Sequence, residues 1–399
     1  MAGQVHQYPS LSRNVQCEVL IIGGGLSGAL AACTLAKSGR QVILLEKQRI
    51  ASGSSSANTG LIQYTSDKTL TSCIHTFGEE QGVRFYKSCL DAVKGLLDMD
   101  RELGGAGEMF PRNSLYFASS DEDLADLYEE YETLHRYGLP AEWLNRGEIA
   151  SRFPFAKPGA IYTSGDAELN PYRLIHALMT SAAAKGAEIY ENSPVTGFHH
   201  EGNHVRCRSG EHVITANHVI IAAGYESQEI RRDRGAYLTQ SFALVTEPVS
   251  FLDQWHEKCL IWESARPYLY LRTTPDHRII VGGLDEQLSP SGLDEARFRS
   301  RSEVLLERLA ELFPQAAGVK AEYAWGAVFG QSRDGLPFIG EHPDYPGCWF
   351  MEGYGGNGAV YSYIAARLIT QAIMGERSPD LELYALKRSS RPSPARSRS

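Results

Sequence analysis

The first residues whose spacing implies chemistry are the glycines of Gly23-Gly24-Gly25-Leu26-Ser27-Gly28. In a G-x-G-x-x-G array the first glycine permits a tight turn, the second lets the backbone approach a pyrophosphate, and the third allows a helix to pack closely on a strand. A helix opening at Leu26 and Ser27 would offer the phosphates unpaired N–H groups and a partial positive charge. Glu46 closes the next apolar stretch 18 residues after Gly28, with Lys47 beside it. An acid there accepts hydrogen bonds from ribose hydroxyls and repels a 2′-phosphate. The pattern reads as a dinucleotide site and by itself does not separate FAD from NAD.

Three further stretches suit the same ligand. Ala51-Ser-Gly-Ser-Ser-Ser-Ala-Asn-Thr-Gly60 is rich in small donors, and Ser54, Ser55, Asn58 and Gly60 are placed to reach a second phosphate and a ribityl chain. Asn217 to Gly224 is an apolar run ending in small residues, so Ala223 and Gly224 would pass beneath a bound cofactor, as would Val195 upstream. Near the end, Ser332-Arg-Asp-Gly-Leu-Pro-Phe-Ile-Gly340 precedes a glycine-rich turn containing Gly353, Gly355, Gly356, Asn357 and Gly358. A helix starting there would stabilise negative charge on a ring held at its N-terminus.

The elements that must carry these residues follow from periodicity. Residues 17–24 read as a strand, 26–38 as a helix and 41–46 as a second strand, a βαβ opening. Val83, Tyr86, Leu90, Val93 and Leu97 step along one helix face, as do Leu124, Leu127, Tyr131 and Leu134, with Ser120 and Asp123 as a capping box and Gly138 as stop. Asn170, Pro171 and Gly186 bracket another helix. Strands are expected at 205–208, 213–215 and 219–222 as a meander, and at 242–246, 268–273 and 278–282 in a separate antiparallel sheet. Residues 294–312 read as a long exposed helix, 348–352 as a strand, and 358 to about 374 as the closing helix.

A length of 399 residues suits two lobes. The net charge of -9 disfavours nucleic acid and anionic membrane as partners. Seven scattered cysteines show no metal-ligand spacing and point to reduced thiols in the cytoplasm. Val19 to Ala36 is free of charge, but its four glycines break it into strand, turn and helix, so no membrane span or export signal is expected.

Taken together, the chain resembles the D-amino-acid oxidase superfamily, which includes glycine oxidase, sarcosine oxidase and D-amino-acid dehydrogenase. The resemblance rests on the first glycine array, the loop ending Ala57-Asn-Thr-Gly60, the segment Gly165-Asp-Ala-Glu-Leu-Asn-Pro-Tyr-Arg-Leu174, the Ile221-Ala-Ala-Gly224 strand, Tyr270-Leu-Arg272 with Val281-Gly-Gly283, and Asp334-Gly-Leu-Pro-Phe-Ile-Gly340. It implies an α/β fold: a discontinuous Rossmann-like FAD domain (17–66, 152–232, 325–380) and an α+β substrate domain on an antiparallel sheet (67–151, 233–324). Independently of the resemblance, residues 388–399 have no apolar face to bury and are expected to form a disordered tail. It also implies oxidation of a C–N bond in a small-molecule amine, amino acid or imino acid, with hydride passing to flavin N5 and oxygen or an electron carrier as acceptor.

Glycine oxidase-like members bind the substrate carboxylate through two arginines, but the matching positions here lie near Phe329 and Gly356. Arg272 and Arg333 are the remaining carboxylate partners, and Tyr270 and Tyr354, with Tyr237 and Trp325, would surround the ring. The resemblance implies that a covalent flavin, as in sarcosine oxidase-like members, would need a cysteine near Ala327, and none stands there, so the FAD is expected to be non-covalent. Three other readings stay open: an FAD-dependent dehydrogenase of a hydroxy acid or polyol phosphate, a flavin-bound sensing or assembly protein without turnover, and an NAD-linked dehydrogenase.

Overall fold

The expected βαβ unit forms from strand Val15–Ile22, helix Leu26–Lys37 and strand Val42–Leu45, the two strands running parallel. This computed structural model describes residues 6–230, 235–288, 295–353, 355–376 and 378–388. The unit is the centre of an eight-stranded sheet. Five of its strands are parallel, in the order Tyr345–Glu352, His212–Ile221, Val15–Ile22, Val42–Leu45 and Glu188–Tyr190, with Phe338–His342 antiparallel at one edge. Val19 and Ile21 point into one apolar cluster and Leu20 into another, so the sheet is buried on both faces. That burial explains why its strands read as continuous apolar runs with little alternation.

Helices Leu26–Lys37, Pro171–Ala184 and Gly358–Ile373 pack together on one face, and the long helix Glu79–Glu102 lies against the last of them. Asn170 accepts from the amide of Arg173 at 3.2 Å, while Gly186 and Gly138 take left-handed φ of 92° and 69° after their helices. Ser120 and Asp123 do form a capping box, although it opens a short 3-10 turn before helix Leu124–Arg136. Helix Leu70–Phe77 carries no strong sequence signal; the carboxylate of Glu130 supplies what its first turn needs by accepting from the amides of Leu70 (2.7 Å) and Thr71 (2.9 Å).

Two expectations need correction. In the meander 213–215 and 219–222 are parts of a single strand, His212–Ile221, which pairs antiparallel with His204–Ser209, and the third strand is the unexpected Gly197–Glu201. The helix at 294–312 is Glu295–Leu312 and is not simply exposed, since Leu305, Leu309 and Leu312 are buried against Phe242 and Leu244. Their spacing of four and three residues gives the apolar stripe that a high surrounding charge obscured.

The second sheet has nine strands and is mainly antiparallel. Its order is Ala321–Ser332, Ala236–Thr246, Ile279–Gln287, Leu269–Thr273, Leu260–Glu263, Phe110–Phe117, Gly159–Glu168 and Leu61–Ile62, with Ala141–Asn145 added on Gly159–Glu168. Three strands that the sequence division assigns wholly or partly to the cofactor lobe, Leu61–Ile62, Gly159–Glu168 and Ala321–Ser332, therefore hydrogen-bond into this sheet. An apolar run reveals that it is a strand without revealing which sheet it joins.

Residues 389–399 of the expected tail lie outside the described residues, but Arg388 does not behave as tail. Its Nε and Nη2 donate to the two Asp334 oxygens at 2.6 and 2.7 Å, and further bonds reach the carbonyls of Leu336, Pro337 and Tyr384. Burial works against the Asp334 charge, yet its hydrogen bonds to Arg388 hold its pKa below the usual carboxylate value. Arg388→Ala leaves that carboxylate buried and unpaired, at a cost of about 3 kcal/mol. Thermal unfolding of the FAD-loaded variant at neutral pH should show a lowered midpoint, and an unchanged midpoint would contradict this clasp.

Candidate cofactor and substrate site

The glycine array produces a helix that almost touches the preceding turn. A Cβ on Gly28 would lie 1.9 Å from the Gly23 carbonyl oxygen, and one on Gly23, at φ 113°, would lie 2.5 Å from that of Ala222. Both neighbours are backbone, which cannot swing away. Gly25 differs: a Cβ there meets only the Ser55 hydroxyl, at 2.9 Å, and open space beyond. Helix Leu26–Lys37 accordingly begins without a side-chain cap of its own, its Leu26 amide donating to Ser55 Oγ at 3.1 Å. A hydroxyl in that place marks where an anion's oxygen fits.

Glu46 is buried and receives the amides of Gly24 and Gln48, both at 2.7 Å, so its carboxylate is fixed beside the turn. Ser27 and Ser362 hydroxyls meet at 2.7 Å and tie the opening helix to the closing one. Gly353 and Gly358 lie close together near Ser362, Gly355 donates to the Gly330 carbonyl at 2.9 Å, and the Asn357 side-chain amide donates to the carbonyl of Gln63. Ser54 reaches the carbonyl of Val328 at 3.2 Å, Asn58 accepts from Gly60 at 2.8 Å, and Trp325 donates to the Ala57 carbonyl at 2.9 Å. The serine-rich loop, the closing glycine turn and the second sheet thus enclose one cleft that starts at the first helix.

Several expected residues do other work. Lys47 is paired with Glu226 at 2.7 Å, which raises its pKa. Val195 packs against the cluster on the sheet face away from the helices, and Ala223 beside it is similarly half-buried, ahead of Gly224 at φ 59°. Arg272 is buried and its guanidinium donates to the carbonyls of Thr59, Thr273 and Leu169, with Glu168 3.9 Å away. Burial lowers its pKa, and its charge holds the loop at Gly60 rather than a substrate. Arg333 is exposed, with its backbone amide on the Gly235 carbonyl. Tyr354 lies outside the described residues.

Tyr270 is half-buried on strand Leu269–Thr273 of the second sheet. Its ring covers Gly282, where a Cβ would come within 2.3 Å of the hydroxyl, and burial pushes the phenol up to about 12. Its neighbour Tyr268 stands 5.9 Å away, ring to ring, and is raised well above the usual value by burial. Sequence reasoning missed Tyr268, Asp67, Arg266 and Asp285, which share this wall. Asp285 was visible in principle as the first acid after the apolar run Ile279 to Leu284, whereas Asp67 lies in a polar segment with no period.

The family model described as "DAO: FAD dependent oxidoreductase" matches residues 18–372. The chain belongs to this family. It is an FAD-dependent oxidoreductase, and the NAD-linked reading falls away. Glycine oxidase from Geobacillus kaustophilus is 26% identical over 383 residues, covering 93% of this chain and 97% of that protein. Gamma-glutamylputrescine oxidoreductase from Escherichia coli is 25% identical over 397 residues, covering 94% and 88%. The crystal structure of the Geobacillus glycine oxidase superposes with a TM-score of 0.80 over 94% of this chain and 99% of that one, at 23% identity. L-proline dehydrogenase from P. horikoshii shares the fold at a TM-score of 0.78, 18% identity, and 93% and 97% coverage.

The cradle at Gly23 to Gly28 fits the FAD pyrophosphate that the family requires. Gly25→Val fills the open space in front of the helix without meeting backbone, so the folded variant should retain less than about a tenth of the wild-type FAD. Gly28→Val collides with the Gly23 carbonyl and should fail to fold at all. Flavin released by heat, measured beside far-ultraviolet circular dichroism, separates the two; full FAD retention in Gly25→Val would contradict the placement.

Proposed function

We propose that this enzyme oxidises the C–N bond of a small amine, amino acid or imino acid. The observation that carries the reading is the whole-length match to relatives named for such compounds, glycine oxidase and gamma-glutamylputrescine oxidoreductase among them. FAD held at the Gly23 to Gly28 turn would supply the hydride acceptor. The chain's own residues hold the reacting carbon over it, exclude water and favour the neutral amine, and water hydrolyses the resulting imine. Tyr270, kept protonated by its burial, serves as a hydrogen-bond donor to the substrate's polar end and not as a base.

The same relatives favour amines over the hydroxy-acid or polyol-phosphate alternative and over a sensor without turnover. Oxygen or an electron carrier is the proposed acceptor, with the FAD held non-covalently. Among the described residues no helix is long and apolar enough to cross a membrane. All seven cysteines are free and buried, which supports a cytoplasmic setting.

Anaerobic addition of N-methyl, cyclic and D-amino acids should bleach the flavin band, with hydroxy acids inert. Tyr270→Phe should slow that bleaching about fivefold to tenfold while the FAD stays bound, the loss of one hydrogen bond. Bleaching by hydroxy acids alone would overturn the reading.

A further inference from the structure

The cleft contains two carboxylates that the residues around them leave under-compensated. Asp67 is open to solvent yet surrounded by protein, as a residue on a cleft wall is, and it accepts from the Gly356 amide. Asp285 ends the apolar stretch of strand Ile279–Gln287, and both its carboxylate oxygens are shut from solvent with no described donor in hydrogen-bond geometry. Ser241 and the Tyr268 hydroxyl stand close enough only to temper its charge. The two acids converge at Tyr268: a Cβ on Gly356 would lie 3.0 Å from Asp67 Oδ2 and 3.5 Å from the Tyr268 hydroxyl. Arg266, whose charge lowers the pKa of Asp67, lies over the Tyr268 ring at 5.1 Å and donates to the carbonyls of Glu263, Ser264 and Ala265.

The one positive charge of Arg266 acts on both acids and offsets only part of their combined charge. Burial lifts Asp67 above the usual carboxylate value and Asp285 up to about 6, with Asp67 adding to the latter, so at pH 7 Asp285 remains mostly ionised. Burial raises the phenols of Tyr116 and Tyr237, the charge of Asp67 adds to each, and Tyr237 is 44% exposed. Aromatic faces and carboxylates together recognise an organic cation. We propose that Asp67 and Asp285, with Tyr268 between them, hold a second positive charge on the substrate, so that the amine oxidised is a diamine or aminoalkyl compound in preference to a simple amino acid. This rests on the amine reading above and specifies its substrate class.

The test uses the FAD-loaded protein under anaerobic conditions, titrated with cadaverine, pentylamine and aminovalerate, three ligands of one chain length and different charge. Half-maximal flavin perturbation or reduction should need about thirtyfold less cadaverine than pentylamine, and aminovalerate should be the weakest. Asp67→Asn and Asp285→Asn should each shrink the cadaverine-to-pentylamine ratio about tenfold. The wild-type comparison decides the matter even where a variant does not fold. Equal response to all three ligands, or preference for aminovalerate, overturns the proposal while leaving amine oxidation intact. Reduction by hydroxy acids and by none of these amines instead overturns the amine reading. Loss of FAD from a folded Asp285→Asn protein would make that acid a cofactor contact and remove it from substrate recognition.

Discussion

The architecture depends on one close approach, the carbonyl of Gly23 lying under Gly28 where any side chain would collide with it. That contact brings helix Leu26–Lys37 down onto its strand and leaves its N-terminal amides facing the cleft. A pyrophosphate there would satisfy donors that no intrahelical carbonyl can reach. The parallel sheet fixes the strand ends in register around that point, because Ile22 lies beside both Leu45 and Ile221. Glu46 and Ala222 are thereby delivered to either side of the turn, each as the residue after one of those strand ends.

Around this fixed end the cleft is assembled from distant parts of the chain. The hydrogen bonds of Trp325 to Ala57, Asn357 to Gln63 and Arg272 to Thr59 bind the serine-rich loop to the second sheet and to the closing turn. None of these residues needs to touch substrate to matter. They set the spacing between the loop, the second sheet and the closing turn. The charge in that space differs from what a carboxylate-binding arginine at position 356 would create, since Gly356 donates its amide to Asp67.

The sequence made the cofactor end legible because each requirement there is local: glycine spacing, an adjacent helix and an acid closing the next strand. Helix ends at Asn170, Gly138 and Gly186 were legible for the same reason, each being a property of a few consecutive residues. Sheet membership was not, because pairing of Gly159–Glu168 with Phe110–Phe117 and Ala141–Asn145 is decided by long-range contacts. The substrate wall was hidden likewise. Arg272 reads as a free cation in one dimension and becomes a buried brace only when the carbonyls of Thr59 and Leu169 arrive from elsewhere. Asp67 and Asp285 are more than 200 residues apart in the chain and acquire meaning only through Tyr268.

The most direct test of the central claim is the flavin content of the purified protein. Denaturation and extraction should release close to one FAD per chain, and the apoprotein should take it up again with a rise in thermal stability, as binding to the native state alone requires. A colourless protein that neither releases FAD nor binds it would contradict the placement of a dinucleotide at the Leu26 helix terminus, and with it the account of the cleft.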